Sequence, residues 1–339
     1  MAALSILELA AVVSGGTPAQ ALAEATTMAQ VAEAAGCERI WVAEHHGMPG
    51  VASSAPAVLL AHLGARTSRI RIGSGGVMLP NHAPLVVAEQ FGTLEALHPG
   101  RVDLGIGRAP GTDPLTARAL GRGDAASFPD DLVELIGYFT GASEELAVPG
   151  LGHLPELWLL GSSTYSAQLA GMLGLPFSFA YHFSPELLDP ALSAYRASFR
   201  PSAVLAAPRA MVAVSAICAP DDDEARWLAG SSRLATLLLR QGRPSVLPSP
   251  EEAEGYEYSS EELAVIEHAC ASHLVGSPRT VVAGLEALVA RTGADEMMLS
   301  TRLFGLDERL RSVQLLSEAW GTSASSATGA DDQEARVGI

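Results

Sequence analysis

The feature that most constrains this chain is an alternation. Eight short apolar runs recur along its 339 residues, and stretches with helical periodicity lie between and after them. The runs are Leu4 to Leu9, Arg39 to Ala43, Ile70 to Gly73, Val102 to Ile106, Leu157 to Leu160, Phe177 to Ala180, Ala210 to Ile217 and Glu296 to Ser300. Most are continuously apolar, as strands buried on both faces are. The helical stretches are 17–35, 55–66, 85–97, 129–140, 163–173, 185–199, 221–240, 277–292 and 306–319, the first with Pro18 in its opening turn. Eight strands alternating with helices predict an α/β fold, a closed eight-stranded parallel (β/α) TIM barrel. Two connections, 108–128 and 241–260, exceed the common loop length and are expected as insertion loops over the carboxyl-terminal face. One barrel domain is expected over 1–320. The tail 321–339 lacks the apolar content to order itself.

Three of these strands end in polar or glycine clusters, so the strand ends are where chemistry is expected: Glu44-His45-His46, Gly73-Ser74-Gly75-Gly76 and Gly107-Arg108. Composition narrows that chemistry. A formal net charge of −17 without a basic run argues against nucleic acid and anionic membranes as partners. All 21 basic residues are Arg, which removes Schiff-base, pyridoxal-lysine and P-loop chemistry together. No apolar stretch approaches the ~20 residues of a membrane span, and Met1 to Leu4 carry no basic leader, so a soluble, cytoplasmic protein is expected. Cys37, Cys218 and Cys270 show no paired spacing and signal neither a disulfide framework nor a zinc site.

Adjacent residues leaving a strand point to opposite sides, so of Glu44, His45 and His46 one His, or one His with Glu44, faces a common ligand. The other reading is a buried, hydrogen-bonded His pair. No HExxH spacing is present and no metal is expected. The glycines from Gly73 to Gly76 mark either a tight strand exit or a backbone platform beneath a flat cofactor ring. Arg108 reads as an inward Arg that requires an anion, either a carboxylate such as Asp113 or a bound phosphate. Gly161-Ser162-Ser163, opening a helix, forms either a plain N-cap or a phosphate cup without lysine. Beside Arg108, the phosphate reading is favoured.

At these residues the chain resembles the bacterial luciferase-like monooxygenases, flavin-dependent (β/α) barrels. The resemblance covers Leu4 to about Ala319. It rests on Ala43-Glu44-His45-His46, the run from Arg71 to His82, Ala88-Glu89-Gln90, His98-Pro99-Gly100-Arg101 and Gly161-Ser162-Ser163. It implies that the Ser74-Gly75 peptide bond is cis and lies against the isoalloxazine. Arg108 with Gly161, Ser162 and Ser163 would hold the FMN phosphate, and Tyr181 would lie against the flavin. His45 would be catalytic, oriented by Glu44 or His46, and His82, Pro110 and Asp113 would belong to the substrate pocket or its lid. Gly47 stands where close relatives often carry Asn, Gly107 where the luciferase catalytic subunit has a reactive Cys, and Ala11 where relatives have Pro.

The implied activity is that of a two-component monooxygenase. It would take reduced FMN from a separate flavin reductase and use O2 to oxygenate a small organic substrate, a polyketide-type secondary metabolite being one candidate. The competing readings are an F420-dependent reductase or dehydrogenase and a flavin-binding protein without turnover. A homodimer through 55–66 and 85–97 is also implied.

Overall fold

The strand sequences dictate a sheet with both faces covered, and that is how the chain folds. A computed structural model describes residues 2–121 and 123–334, with side chains as far as Ser323. The chain opens with β1 (Ala3–Glu8), α1 (Pro18–Ala34), β2 (Arg39–Val42), α2 (Pro56–Arg66), β3 (Arg71–Met78) and α3 (Pro84–Leu97). There follow β4 (Val102–Gly107), α4 (Pro114–Ala119), α5 (Phe128–Thr140), β5 (Glu156–Gly161), α6 (Thr164–Leu173), β6 (Phe177–Ala180) and α7 (Leu188–Ser198). The last third holds β7 (Ala210–Cys218), α8 (Asp222–Arg240), α9 (Pro250–Glu254), α10 (Ser260–Ala269), β8 (Leu274–Gly276), α11 (Pro278–Thr292), β9 (Glu296–Ser300) and α12 (Leu306–Glu334). Proline opens α1, α2, α3, α4, α9 and α11, where its missing N–H costs nothing. Left-handed glycines Gly141, Gly174 and Gly293 end α5, α6 and α11.

All strand pairs are parallel. β1 to β7 and β9 close into a ring of eight, with β6 pairing β7 and β9 pairing β1 through Ile6 and Leu299. The eight expected strands are these eight. The ninth, β8, is a three-residue addition to the end of β7, Ala216 against Leu274, too short to give an apolar run of its own. The two long connections are partly helical: Asp113 caps α4, and capping boxes from Ser249 and Ser259 start α9 and α10. The final helix continues past 319 to Glu334, and the tail expectation falls largely on side chains, and in 335–339 on residues, outside those described. Among the described residues no helix is long and apolar enough to cross a membrane.

Two cores result from the alternating side chains of each strand. Outward residues such as Ile40, Ile72, Val102, Phe177, Val212 and Met297 pack beneath the helices. Inside the ring lie Trp41, Trp158, Met211 and Met298, the two indoles edge to face at 5.6 Å. Below them, at the strand starts, sits a layer of charge: Arg39 donates to Glu296 and Asp103 at 2.7 Å each, Arg71 pairs with Asp103 and Glu156, and Arg209 pairs with Glu156 and Glu296. The amino end of the barrel is thereby closed, which leaves the carboxyl edge as the open one.

Candidate active site

The chain leaves β2 through Glu44, whose fully buried carboxylate collects donors from three directions. His46 Nε2 and His82 Nε2 each donate to Oε1 at 2.9 Å, and the Met78 N–H donates to Oε2 at 3.1 Å. Burial alone would push this carboxyl upward; the bonds from His82, His46 and Met78 outweigh it and hold it below the usual range. Glu44 therefore orients His46 and His82, not His45. His82, expected in a substrate lid, is a partly exposed member of this cluster around the buried Glu44, placed there by the tight turn Leu79–Asn81 after β3.

His45 stands apart from that cluster. Its Nδ1 donates to the Gly111 carbonyl at 3.3 Å, and because a carbonyl only accepts, Nδ1 carries the proton and Nε2 keeps a lone pair. Burial lowers its pKa, so the ring is neutral at pH 7. The segment after β4 ties these pieces together: Asn81 Nδ2 donates to the Pro110 carbonyl at 3.1 Å, the His46 N–H to the Gly111 carbonyl, and Thr112 Oγ1 to the His46 carbonyl at 2.6 Å. Pro110 thus serves through its backbone. Asp113 caps α4 by accepting from the Leu115 and Thr116 N–H groups. Gly47 (φ +66°) explains its own identity, since a Cβ there would lie 2.7 Å from Thr116 Oγ1.

On β3 the cis peptide bond is Gly75–Gly76, one residue later than expected. Ser74 is still in register with Leu104, and its Oγ donates to the Gly105 carbonyl at 2.9 Å; the shift in register against β4 comes only between Gly75 and Val77. Ser74 is thereby a structural hydroxyl, and its side chain is not presented to a cofactor. Side chains are barred at both glycines, since a Cβ on Gly75 would lie 2.7 Å from Leu7 Cδ1 and one on Gly76 would lie 2.8 Å from the Gly105 carbonyl.

Arg108 and the start of α6 are brought together. The guanidinium lies 4.4 Å from the Tyr165 ring centroid, in the first turn of α6, and it is exposed rather than inward because β4 ends one residue before it. Ser163 occupies the N-cap position yet makes no side-chain capping bond, so the first-turn N–H groups of α6 remain unclaimed by it. Gly161 is held close to Ser166, where a Cβ would meet that side chain at 2.5 Å. A cationic fork, two serine hydroxyls at Ser162 and Ser163 and a helix N-terminus converge here, which is the donor set a phosphate needs.

Tyr181 is not in the mouth of the barrel. It packs with the outer core, and its hydroxyl lies beside Arg291 on α11, because the residue that leaves β6 toward the mouth is the next one, His182. His182 Nδ1 donates to the Ala213 carbonyl at 3.0 Å, and burial with Arg302 and His45 nearby pushes its pKa down to about 4. His273 and Arg302 join it from the segments before β8 and after β9. None of the three lies in a local motif; the only sequence signal for Arg302 and His182 is a polar residue just past a strand end. Among the described residues no cluster of ligands could hold a metal ion.

The family model described as luciferase-like monooxygenase matches residues 4–296. A luciferase-like monooxygenase of Escherichia coli is 45% identical over 92% of this chain and 95% of its own. The N-acetyl-S-alkylcysteine monooxygenase of Bacillus subtilis is 35% identical over 94% and 98%. Among solved structures, apo-MsnO8 superposes with a TM-score of 0.88 at 36% identity, covering 95% of this chain and 99% of that one. The fold alone is shared, below 20% identity, with the oxygenating constituent of 3,6-diketocamphane monooxygenase from Pseudomonas putida in complex with FMN (TM-score 0.71, 94% and 98% covered). It is likewise shared with an F420-dependent secondary alcohol dehydrogenase carrying an F420-acetone adduct (TM-score 0.67, 94% and 98% covered).

Proposed function

Because this chain belongs to the luciferase-like monooxygenase family, we propose that it is the oxygenating half of a two-component flavin system, taking reduced FMN from a separate reductase and oxygenating a small organic substrate with O2. The observation that carries the FMN reading is the convergence of Arg108, Ser162 and Ser163 on the uncapped start of α6. That donor set fits a terminal phosphate. Reduced flavin supplies the electrons, so that one atom of O2 enters the substrate and the other leaves as water.

The residues of the chain do the rest. Glu44 fixes His46 and His82 and so shapes the wall beside β2, while the tie from Gly111 holds His45 with Nε2 available. At neutral pH His45 is then a base at Nε2 and, once protonated, an acid at the same atom. The segment 110–112 is pinned to that wall through Asn81 and Thr112, where it would help to keep water from the site.

Anaerobic titration with FMNH2 and with F420H2, followed by mixing with O2, tests this reading. Tight FMNH2 binding with rapid O2 consumption supports it. Preference for F420H2 would replace it with the reductase or dehydrogenase, and flavin binding without O2 consumption would replace it with a carrier. For His45→Ala we expect FMN affinity near that of the parent while the O2-dependent flavin absorbance change alters in rate by ~10² to 10⁴. An unchanged rate in stopped-flow spectroscopy would remove His45 from the proton chemistry. We also propose a homodimer across α2 and α3, whose exposed Val58, Val86 and Leu97 support a covered face; a monomeric mass in light scattering at micromolar concentration would rule it out.

A further inference from the structure

Arg302 stands two residues past the end of β9, on the carboxyl edge of the barrel. It is partly buried, yet among the described residues it makes no hydrogen bond and no ion pair. The groups that feel its charge are His45, His182, His273 and Cys270. Among the described residues no carboxylate offsets the cost of its partial burial, and its pKa falls accordingly. In a chain with 38 acidic residues against 21 arginines, an arginine partly buried without an acid among the described residues is an exception that needs a reason. Glu44 reaches His45 of this group, but its oxygens are already taken by His46, His82 and Met78.

The surroundings repeat the pattern. The His273 ring has no hydrogen-bond partner among the described residues, and burial with His182, Arg302 and Arg233 near it pushes its pKa down to about 4. His182 uses Nδ1 on Ala213 and keeps Nε2. Arg233 on α8, partly buried and likewise without an ion pair, acts on the same His273 and Cys270, although Glu254 lines the groove on its other side. Phe183, 63% exposed, packs at a tilt against His182 with 4.1 Å between centroids and offers an apolar surface next to the charge.

Ring order decides what this cation is for. Four strand steps separate β4 from β9 in either direction, through β3, β2 and β1 or through β5, β6 and β7, so Arg302 lies across the mouth from Arg108. One phosphate cannot engage both. We propose that Arg302, flanked by His182 and His273, receives the oxyanion of the substrate, and that the substrate class is an organic carboxylate or sulfonate whose reacting end lies toward His45. The proposal rests on the monooxygenase reading for the word substrate, while the anion site itself does not.

The test titrates the FMN-loaded protein with hexanoate, hexanesulfonate and uncharged hexanamide at constant ionic strength, read by calorimetry and by the flavin spectrum. The parent should bind the two anions saturably and prefer them to the amide by about tenfold or more. Arg302→Gln should lose that preference, Arg302→Lys should keep part of it, and Arg233→Gln should reduce it less than Arg302→Gln. FMN affinity should hold in all three, and Arg108→Ala should leave anion preference intact. Equal binding of acid and amide by the parent, no saturable anion binding at all, or full preference retained in Arg302→Gln would each overturn the proposal. If Arg302→Gln fails to fold, as thermal melts would reveal, Arg302→Lys decides: anion binding identical to the parent in strength and selectivity counts against a forked contact at this position. Should the protein refuse FMN, the functional reading fails, and the same calorimetry on the flavin-free protein still judges Arg302.

Discussion

The two ends of this barrel use the same residue types in opposite ways. At the amino end three arginines, Arg39, Arg71 and Arg209, meet three acids, Asp103, Glu156 and Glu296, with Ser5 and the Trp41 and Trp158 indole N–H groups completing the set. Arg39 is fully buried there and its pKa is nonetheless raised, because Asp103, Glu296 and Glu156 outweigh the burial. Its Nη2 is buried without a hydrogen-bond acceptor among the described residues, and the group lies 5.1 Å from the Trp158 ring centroid. At the carboxyl end Arg302 is partly withdrawn from water, yet among the described residues it pairs with no acid and its pKa is lowered. A charge buried with its partner holds a fold together, whereas a charge buried without one holds a place for something else. The barrel is thus a sealed plug at one end and a set of open valences at the other.

The comparison is most exposed at Asp103. Asp103→Asn leaves the fully buried Arg39, and Arg71 beside it, short of a carboxylate, and we expect a loss of about 3–5 kcal/mol in denaturant unfolding. A loss under ~1 kcal/mol would mean that charge pairing does not hold the amino end. At the opposite end Arg108→Ala should cost about 1.5–3 kcal/mol in FMN binding while leaving the thermal midpoint unchanged. A shifted midpoint with unchanged flavin affinity, measured by fluorescence quenching, would make Arg108 a structural residue and erase the contrast.

Acid should separate the ends more gently. His182 and His273 titrate near 4 in the folded protein against 6.5 for the free side chain, so between those values the unfolded chain binds protons that the folded one refuses. Stability is then full above pH 6.5 and declines as pH falls toward 4. The lowered Glu44 carboxyl has the same sign further down, its contribution being lost as pH falls below 4.5 and through its folded value. Thermal midpoints should drop across pH 6.5 to 4, with a shallower slope in His182→Gln; identical slopes would show that the rings at the mouth are not held neutral by burial.

Local signals carried a large part of the structure. Most of the eight barrel strands are continuous apolar runs, and six helices announce themselves with a proline in the first position. The short helices α9 and α10 carry capping signals, Ser249 with Glu252 and Ser259 with Glu262, although the length and polarity of the second connection, 241–260, suggested only a loop. The strand-end clusters at Glu44 to His46, Gly75 and Gly76, and Arg108 all stand on the carboxyl edge. What they touch was not legible. Glu44 turned out to serve His46 and His82, 38 residues away, and a one-residue register shift moved the cis bond from Ser74-Gly75 to Gly75-Gly76. Tyr181 and His182 differ by one position, and that difference alone sends one under α11 and the other into the mouth.

By itself, then, the sequence determined the order of strands and helices, hence a parallel barrel with a working edge, because apolar periodicity and helix caps are properties of neighbours along the chain. Only the tertiary structure decided which charges are spent and which are left over. Arg39, Arg71 and Arg302 are alike on paper, and no local rule distinguishes them. Closing the ring brings Asp103 and Glu296, from strands far apart in the chain, onto Arg39, and brings nothing acidic onto Arg302. The difference arises from where eight strands begin and end around a circle, a relation that exists only after the first strand has met the last.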